Sequence, residues 1–364
     1  MPHVQRRAAA LIFAYVSVLL ALLGCSKKPD ATPTPAGSAS AVQGNVADAT
    51  ITLQGSGASF PAPVYSRWFR EFSNKNPNIR VNYQATGSGA GIKAFTAGQT
   101  DFGASDAAMT DDEIAQAKGN VVLLPVTAGH IVLAYNLPDV KSLKLTREAY
   151  AGIFLGDIKK WNDPKIAASN PGVKLPNLDI APVNRSDGSG TTFVFTQHLS
   201  AISEKWKSGP GTGKSVNWPA KAAVGGAKND GVAALIQRTP GAIGYIEYVF
   251  AATSNQPVAE LQNKAGKFVA PTLEAASAAL AHVELPADMR AWVTDPVGDD
   301  VYPIATYTWI LAKKKYEDKA KGEALKSLLK WCLGEGQPLA ASLHYIALPD
   351  PVAAQVRKAV DTIE

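Results

Sequence analysis

From Thr50 onward the chain alternates short apolar runs with amphipathic stretches, and few architectures accept that rhythm. "ITLQG" reads as a strand, and "PVYSRWFREFSNKNP" as a helix carrying Val64, Trp68, Phe69 and Phe72 on one face. "IRVNYQA" is a second strand, followed by a short helix through Ile92, Lys93 and Phe95. "TDFGAS" is a third strand. The helix after it, "MTDDEIAQAKGN", has its acids in the first turn and closes at Lys118–Gly119. "VVLLPV" and "HIVLAYN" read as two further strands. Strand and helix in alternation predict an α/β protein with largely parallel sheets.

In such sheets ligands lie beyond the carboxyl ends of strands, where loops meet helix N-termini. The unusual segments of this chain fall there. "GSGASF" follows "ITLQ", "GSGAG" follows "VNYQAT", Ser105–Asp106 follows "DFGA", and "DGSGTT" follows "IAPVNRS". Glycine lets backbone N–H groups come close to a ligand. Ser and Thr add hydroxyl donors, and a helix N-terminus offers unpaired N–H groups with a favourable dipole. Each turn alone is equally well an ordinary helix cap. Four of them at strand ends describe a site for a small oxyanion.

The ends of the chain fix the compartment. Residues 1–24 open with Arg6 and Arg7 and continue as an apolar run to Leu23, short for a bilayer span of about 20 residues. That is the shape of a secretory signal. It ends in "LLGC", which resembles a bacterial lipobox with Cys25 as the lipidated residue, although Leu23 stands where a small residue is usual. Residues 25–49, rich in Pro, Ala, Ser and Thr, cannot bury enough apolar surface to offset ordering entropy and read as a tether. With Cys25 lipidated, Cys332 has no cysteine to pair with and reads as a buried small hydrophobe. The formal net charge is only +5 over 364 residues, and no dense basic tract interleaves with aromatics, which disfavours nucleic acid. Nothing after residue 25 reads as a membrane span.

"GSGASFPAPVYSRW", "VNYQATGSGAGIK", "DFGASDAAM", "NRSDGSGTTFVFT", "NDGVAALIQRTPGAIGYIEY" and "ALPDPVAAQVR" occur in this order. With these motifs the stretch from Leu53 to Val356 resembles the substrate-binding proteins of bacterial phosphate ABC transporters. The resemblance implies a two-lobed fold of the periplasmic binding-protein type (type II), with the ligand in a cleft between two α/β domains joined by two crossover strands. Residues 50–135 plus 305–364 would form lobe I, and residues 136–304 lobe II. It further implies a hydroxyl from Ser59, a backbone N–H from Phe60 and a hydroxyl from Ser88. Arg185 would bridge two ligand oxygens, held in place by Asp187, and Ser189, Gly190 and Thr191 would donate from a helix N-terminus. Asp106 would accept a proton from the ligand. The implied partners are inorganic phosphate and the permease and ATPase subunits of an importer, the chain itself being a monomer without cofactor. Two positions depart from the family pattern: Ser59 replaces a threonine, and Gly89 stands where a second serine is common, leaving its backbone N–H as the donor there.

A carboxylate in an anion site has a physical reason. Phosphate near neutral pH keeps at least one proton to give Asp106, whereas sulfate has none and would leave a buried charged acceptor unpaired, at a cost of about 1–3 kcal/mol or more. Asp187, two residues past Arg185, partly neutralises the guanidinium and fixes its planar fork.

Other readings are weaker. "SGPGTGKSVNWP" at 208–219 resembles a nucleotide-binding loop, but Ser208 replaces the first glycine and no helix pattern follows, so it reads as a surface loop. The histidines at 3, 130, 198, 282 and 344 lack metal-ligand spacing. A secreted phosphatase using one of these serines would want a metal cluster or a positioned base, and no histidine lies near the serine motifs in sequence. A binding protein for arsenate or sulfate is the closer alternative. Asp106 speaks against the proton-free anion but not against arsenate.

Overall fold

The computed structural model describes residues 50–281 and 283–364; residues 1–49, with the expected signal, tether and Cys25, lie outside the described part, as does His282. Eight strands make the main sheet: β1 (Ile51–Gly57), β2 (Ile79–Ala85), β3 (Phe102–Ser105), β4 (Val122–Tyr135), β5 (Ala181–Arg185), β6 (Val224–Gly226), β7 (Ala242–Glu247) and β8 (Ala305–Ala312). Their order is β2-β1-β3-β8-β4-β7-β5-β6. The strands of each wing run parallel, β2-β1-β3 on one side and β7-β5-β6 on the other. The three pairings in the middle, β3–β8, β8–β4 and β4–β7, are antiparallel. The expected largely parallel sheet is therefore two parallel wings around an antiparallel centre. β8 enters that centre from late in the chain, where no helical crossover dictates its direction.

The two strands expected at "VVLLPV" and "HIVLAYN" are one. β4 runs through all 14 residues, pairing with β8 as far as His130 and with β7 from Ile131 onward. The small residues Thr127, Ala128 and Gly129 look like a break in sequence, yet they are buried strand. A Cβ on Gly129 would come within 2.7 Å of the Phe60 ring, so the missing side chain is what lets the strand pass.

Helices cover the sheet. α1 (Ala62–Lys75) starts after Pro61 and buries Val64, Tyr65, Trp68, Phe69 and Phe72, the spacing of one helical face. Each such side chain, fully removed from water, contributes about 1.5–3 kcal/mol. The Trp68 indole also donates to the Gly336 carbonyl at 2.6 Å. α2 (Ser88–Thr96) follows β2, and α3 (Asp111–Gln116) follows β3 under a reciprocal capping box between Thr110 and Glu113. α4 (Gly190–Ile202) follows β5, α5 (Lys228–Arg238) follows β6, and α6 (Lys319–Cys332) and α7 (Asp350–Asp361) close the chain. Among the described residues no helix is long and apolar enough to cross a membrane.

Candidate functional site

The four strand-end turns converge. The first begins later than its sequence suggests, because Gly55, Ser56 and Gly57 belong to β1. Their small size serves packing: a Cβ on Gly55 would overlap the Phe102 ring, and one on Gly57 the Ala104 backbone. The turn proper is Ala58–Pro61. Ser59 Oγ accepts from the Asn229 backbone N–H at 3.2 Å and from Asn229 Nδ2 at 3.1 Å. The Phe60 carbonyl accepts from Tyr345 Oη at 2.6 Å. Its N–H finds no acceptor among the described residues.

At the second turn Gly87 caps α2 with φ 93°, a conformation that favours glycine. A Cβ there would also lie 2.3 Å from Asp187 Oδ2. Ser88 Oγ accepts from the Asp106 N–H at 3.3 Å. Gly89 donates its N–H to the Gly188 carbonyl at 2.9 Å, so this backbone donor, expected to remain free, is spent on the opposite turn. The same contact explains the departure at this position: a Cβ on Gly89 would stand 3.2 Å from Gly188 Cα and 3.3 Å from its carbonyl oxygen. Both obstacles are backbone and cannot rotate away. Gly89→Ser is expected to cost about 1–3 kcal/mol of stability by overpacking, read as a lower melting temperature; an unchanged one would show that the turns yield freely.

The third and fourth turns meet at Asp106. Thr110 caps α3, so Asp106 serves no helix end. It is 2% exposed, and Oδ1 accepts from Thr308 Oγ1 at 2.9 Å. Burial pushes its carboxyl up to about 7, against the pull of Thr308, Arg185, Ser88 and Thr191. Gly190, the first residue of α4, abuts it: a Cβ there would fall 2.7 Å from Asp106 Cβ and 2.7 Å from Ser88 Oγ. Ser189 caps α4, accepting from the Thr192 N–H at 3.0 Å, which leaves its O–H as a donor.

Arg185 ends β5 with its side chain buried. Nε and Nη2 reach Asp187 Oδ1 and Oδ2 at 2.9 and 2.6 Å, and Nη1 reaches Thr191 Oγ1 at 3.3 Å. A guanidinium has five N–H donors; with three engaged, one remains on each terminal nitrogen. Asp187 also accepts the Lys228 N–H at 2.9 Å. Burial raises its carboxyl, but the bonds and charge of Arg185, with the Lys228 N–H, outweigh this and hold it below its ordinary range. The arginine charge is thus largely answered within the site by Asp187.

Ser59, Phe60, Ser88, Asp106, Arg185, Asp187, Ser189, Gly190 and Thr191 therefore gather at one place. Sequence reasoning missed Thr308, which looks like any strand threonine, and Asn229, which opens "NDGVAALIQRTPGAIGYIEY" with no neighbouring pattern to single it out. The loop at 208–219 begins at the end of a short helix (Glu204–Ser208) with no strand before it. It is more than surface: the Lys214 carbonyl accepts the Ser189 N–H at 2.8 Å, and Lys214 Nζ pairs with Glu113 of α3. His130 stacks on Tyr248 and contacts the Pro271 carbonyl, and His198 contacts Tyr150 Oη; burial lowers both to about 4, so they are neutral packing groups. Cys332 is buried in α6. Among the described residues no cluster of three or more His, Cys, Asp or Glu is placed to hold a metal.

The profile of the PBP superfamily domain matches residues 34–335. The phosphate-binding protein PstS of Pasteurella multocida is 41% identical over 310 residues, covering 84% of this chain and 89% of that protein. The chain belongs to the PstS family. Another PstS, from Methanocaldococcus jannaschii, is 36% identical over 343 residues, covering 88% of each chain. In fold, this PstS-family chain is similar to the high-affinity periplasmic phosphate-binding protein PfluDING, solved with phosphate bound. The TM-score is 0.70 at 20% identity, over 85% of this chain and 93% of that one. The PstS-family chain thus has the two-lobed periplasmic binding-protein fold, and these relatives are binding proteins rather than enzymes.

Proposed function

We propose that this chain captures inorganic phosphate outside the cytoplasm and delivers it to an ABC-type importer, without catalysing a reaction on it. The PstS relatives, named as phosphate-binding proteins, support the ligand. The observation that carries the reading is a buried carboxylate, Asp106, set among donors beside Arg185. With Asp106 ionised, only an anion that brings its own proton satisfies both. In this reading Ser59, Ser88, Ser189 and Thr191 give hydroxyls, and Phe60, Gly190 and Thr191 give backbone N–H groups. Arg185 gives the two N–H left on its fork, and Asp187 holds that fork.

Residues 50–135 with 305–364 act as one lobe and 136–304 as the other. The Ser59–Asn229 and Gly89–Gly188 bonds and the Gly190–Asp106 contact then lie between lobes, and ligand contacts from both sides favour the closed state. The chain works as a periplasmic monomer, anchored by a lipid on Cys25 after removal of residues 1–24, and docks on a permease driven by a separate ATPase. Calorimetric titration of ligand-stripped protein at pH 8, where Asp106 is mostly ionised, is expected to show one phosphate bound per chain and no heat with sulfate. Equal binding of both anions would overturn the role of Asp106. Absence of phosphate binding, with sustained hydrolysis of a chromogenic phosphate ester, would replace the binding protein by an enzyme.

A further inference from the structure

Asn229 is fully buried in the first turn of α5 and touches three other segments of the chain. Its Oδ1 accepts the Glu247 N–H at 3.1 Å. A backbone N–H can only donate, so this bond fixes which end of the amide is oxygen. Nδ2 consequently faces the site, donating to Ser59 Oγ at 3.1 Å and approaching Thr191 Oγ1 at 3.5 Å. The backbone N–H of Asn229 donates to the same Ser59 oxygen at 3.2 Å. A hydroxyl oxygen has two lone pairs and one proton. Both lone pairs of Ser59 are filled by Asn229, and only its O–H remains.

We infer that Asn229 is a positioning residue that sets the direction of the Ser59 hydroxyl proton, so that Ser59 meets phosphate only as a donor. The inference rests on the phosphate reading above and adds a specificity element to it. A free hydroxyl rotates and meets protonated and unprotonated oxygens alike. A hydroxyl locked as a donor cannot receive a proton from the ligand, which leaves Asp106 to receive it. The site is thereby matched to an anion carrying one proton, dibasic phosphate, over one carrying two.

The test is Asn229→Asp, which keeps the shape and reverses the polarity. An Asp oxygen accepts the Ser59 proton, turning a Ser59 lone pair toward the ligand. The other titratable groups facing this position stay in place: Asp106, Arg185 and Asp187 from the strand-end turns, Glu247 from β7, and Tyr345 beside Glu247. Phosphate affinity of Asn229→Asp is expected to fall about 100-fold at pH 8 and about tenfold at pH 6, where doubly protonated phosphate supplies the second proton. Asn229→Ala, which frees the hydroxyl, is expected to lose only a few-fold, equally at both pH values. A purely structural asparagine would give losses that are the same at both pH values and independent of the Ser59 hydroxyl.

Added negative charge is separated from proton direction by repeating both substitutions in a Ser59→Ala background. There the losses and the pH dependence are expected to disappear. Losses that persist undiminished without the Ser59 hydroxyl would overturn the inference, as would wild-type affinity in Asn229→Asp. Should the aspartate variant fail to fold by thermal melting, the Asn229→Ala and Ser59→Ala cycle decides alone, additivity counting against the inference. Wild-type titration is the reference: phosphate binding there with no effect at Asn229 sinks this inference only, and no binding sinks the phosphate reading with it.

Discussion

Replacing Arg185 by methionine is expected to weaken phosphate binding by about a thousandfold or more. Two N–H groups of the fork are left for a ligand once Asp187 and Thr191 are served. Hydrogen bonds to charged groups are worth about 1.5–3 kcal/mol each, which places the loss at about 10²–10⁴-fold for the pair. Removing the guanidinium also leaves Asp187 and Asp106 without the cation that draws both carboxyls down. An anion would then enter a site whose Asp187 carboxylate has lost its cation, which pushes the loss toward the upper end. Arg185→Lys is the informative control. It keeps a charge but cannot hold Asp187 with two nitrogens while offering a fork to the ligand, and it is expected to lose most of the affinity as well. Calorimetry with phosphate measures both variants, with thermal melting to confirm folding. Affinity within tenfold of wild type in Arg185→Met would mean that hydroxyls and helix N-termini bind the anion without the fork.

The sequence made local structure and the chemistry of individual turns legible, while contacts between turns stayed hidden. α1 could be read from Val64, Trp68, Phe69 and Phe72 because helical spacing is a short-range signal. The Ser, Gly and Asp turns could be read because four of them recur at strand ends, although Gly55 and Gly57 turn out to serve packing within β1. What could not be read were the meetings of Gly89 with Gly188, of Ser59 with Asn229, and of Thr308 with Asp106, up to 202 residues apart. The first two depend on how the wings of the sheet face one another and the third on β8 pairing beside β3, neither of which periodicity encodes. Thr308 is hidden further because β8 is buried throughout, so its one site-facing hydroxyl stands among strand residues without a pattern. β4 misled for the same reason: its break in hydrophobicity at Thr127–Gly129 reflects the Phe60 ring lying against Gly129.

Asp106→Asn is expected to move stability and binding in opposite directions. In the ligand-free protein the Asp106 carboxyl sits at about 7, above its ordinary 3.8, chiefly through burial. Below pH about 4 the group is protonated in folded and unfolded chains alike, and ionisation costs the fold nothing. As pH rises from about 4 through 7 the unfolded chain releases the proton freely while the folded chain resists, so stability falls across that window. At pH 8 the cost is on the order of 4 kcal/mol at one pKa unit per 1.36 kcal/mol. The asparagine variant escapes it, since its carbonyl still accepts from Thr308 and no charge is buried. Ligand-free Asp106→Asn is therefore expected to melt several degrees higher than wild type at pH 8 and at the same temperature near pH 4. Binding should show the reverse. The amide cannot accept the ligand's proton with the strength of a carboxylate, and its N–H groups can donate to an oxygen that carries none. Phosphate affinity should drop by about tenfold or more, and sulfate, rejected by the wild-type carboxylate, should gain. A variant that melts like wild type at pH 8 would show that Asp106 is ionised in the empty site at no cost. Sulfate binding left as weak as before would show that something other than the carboxylate excludes it.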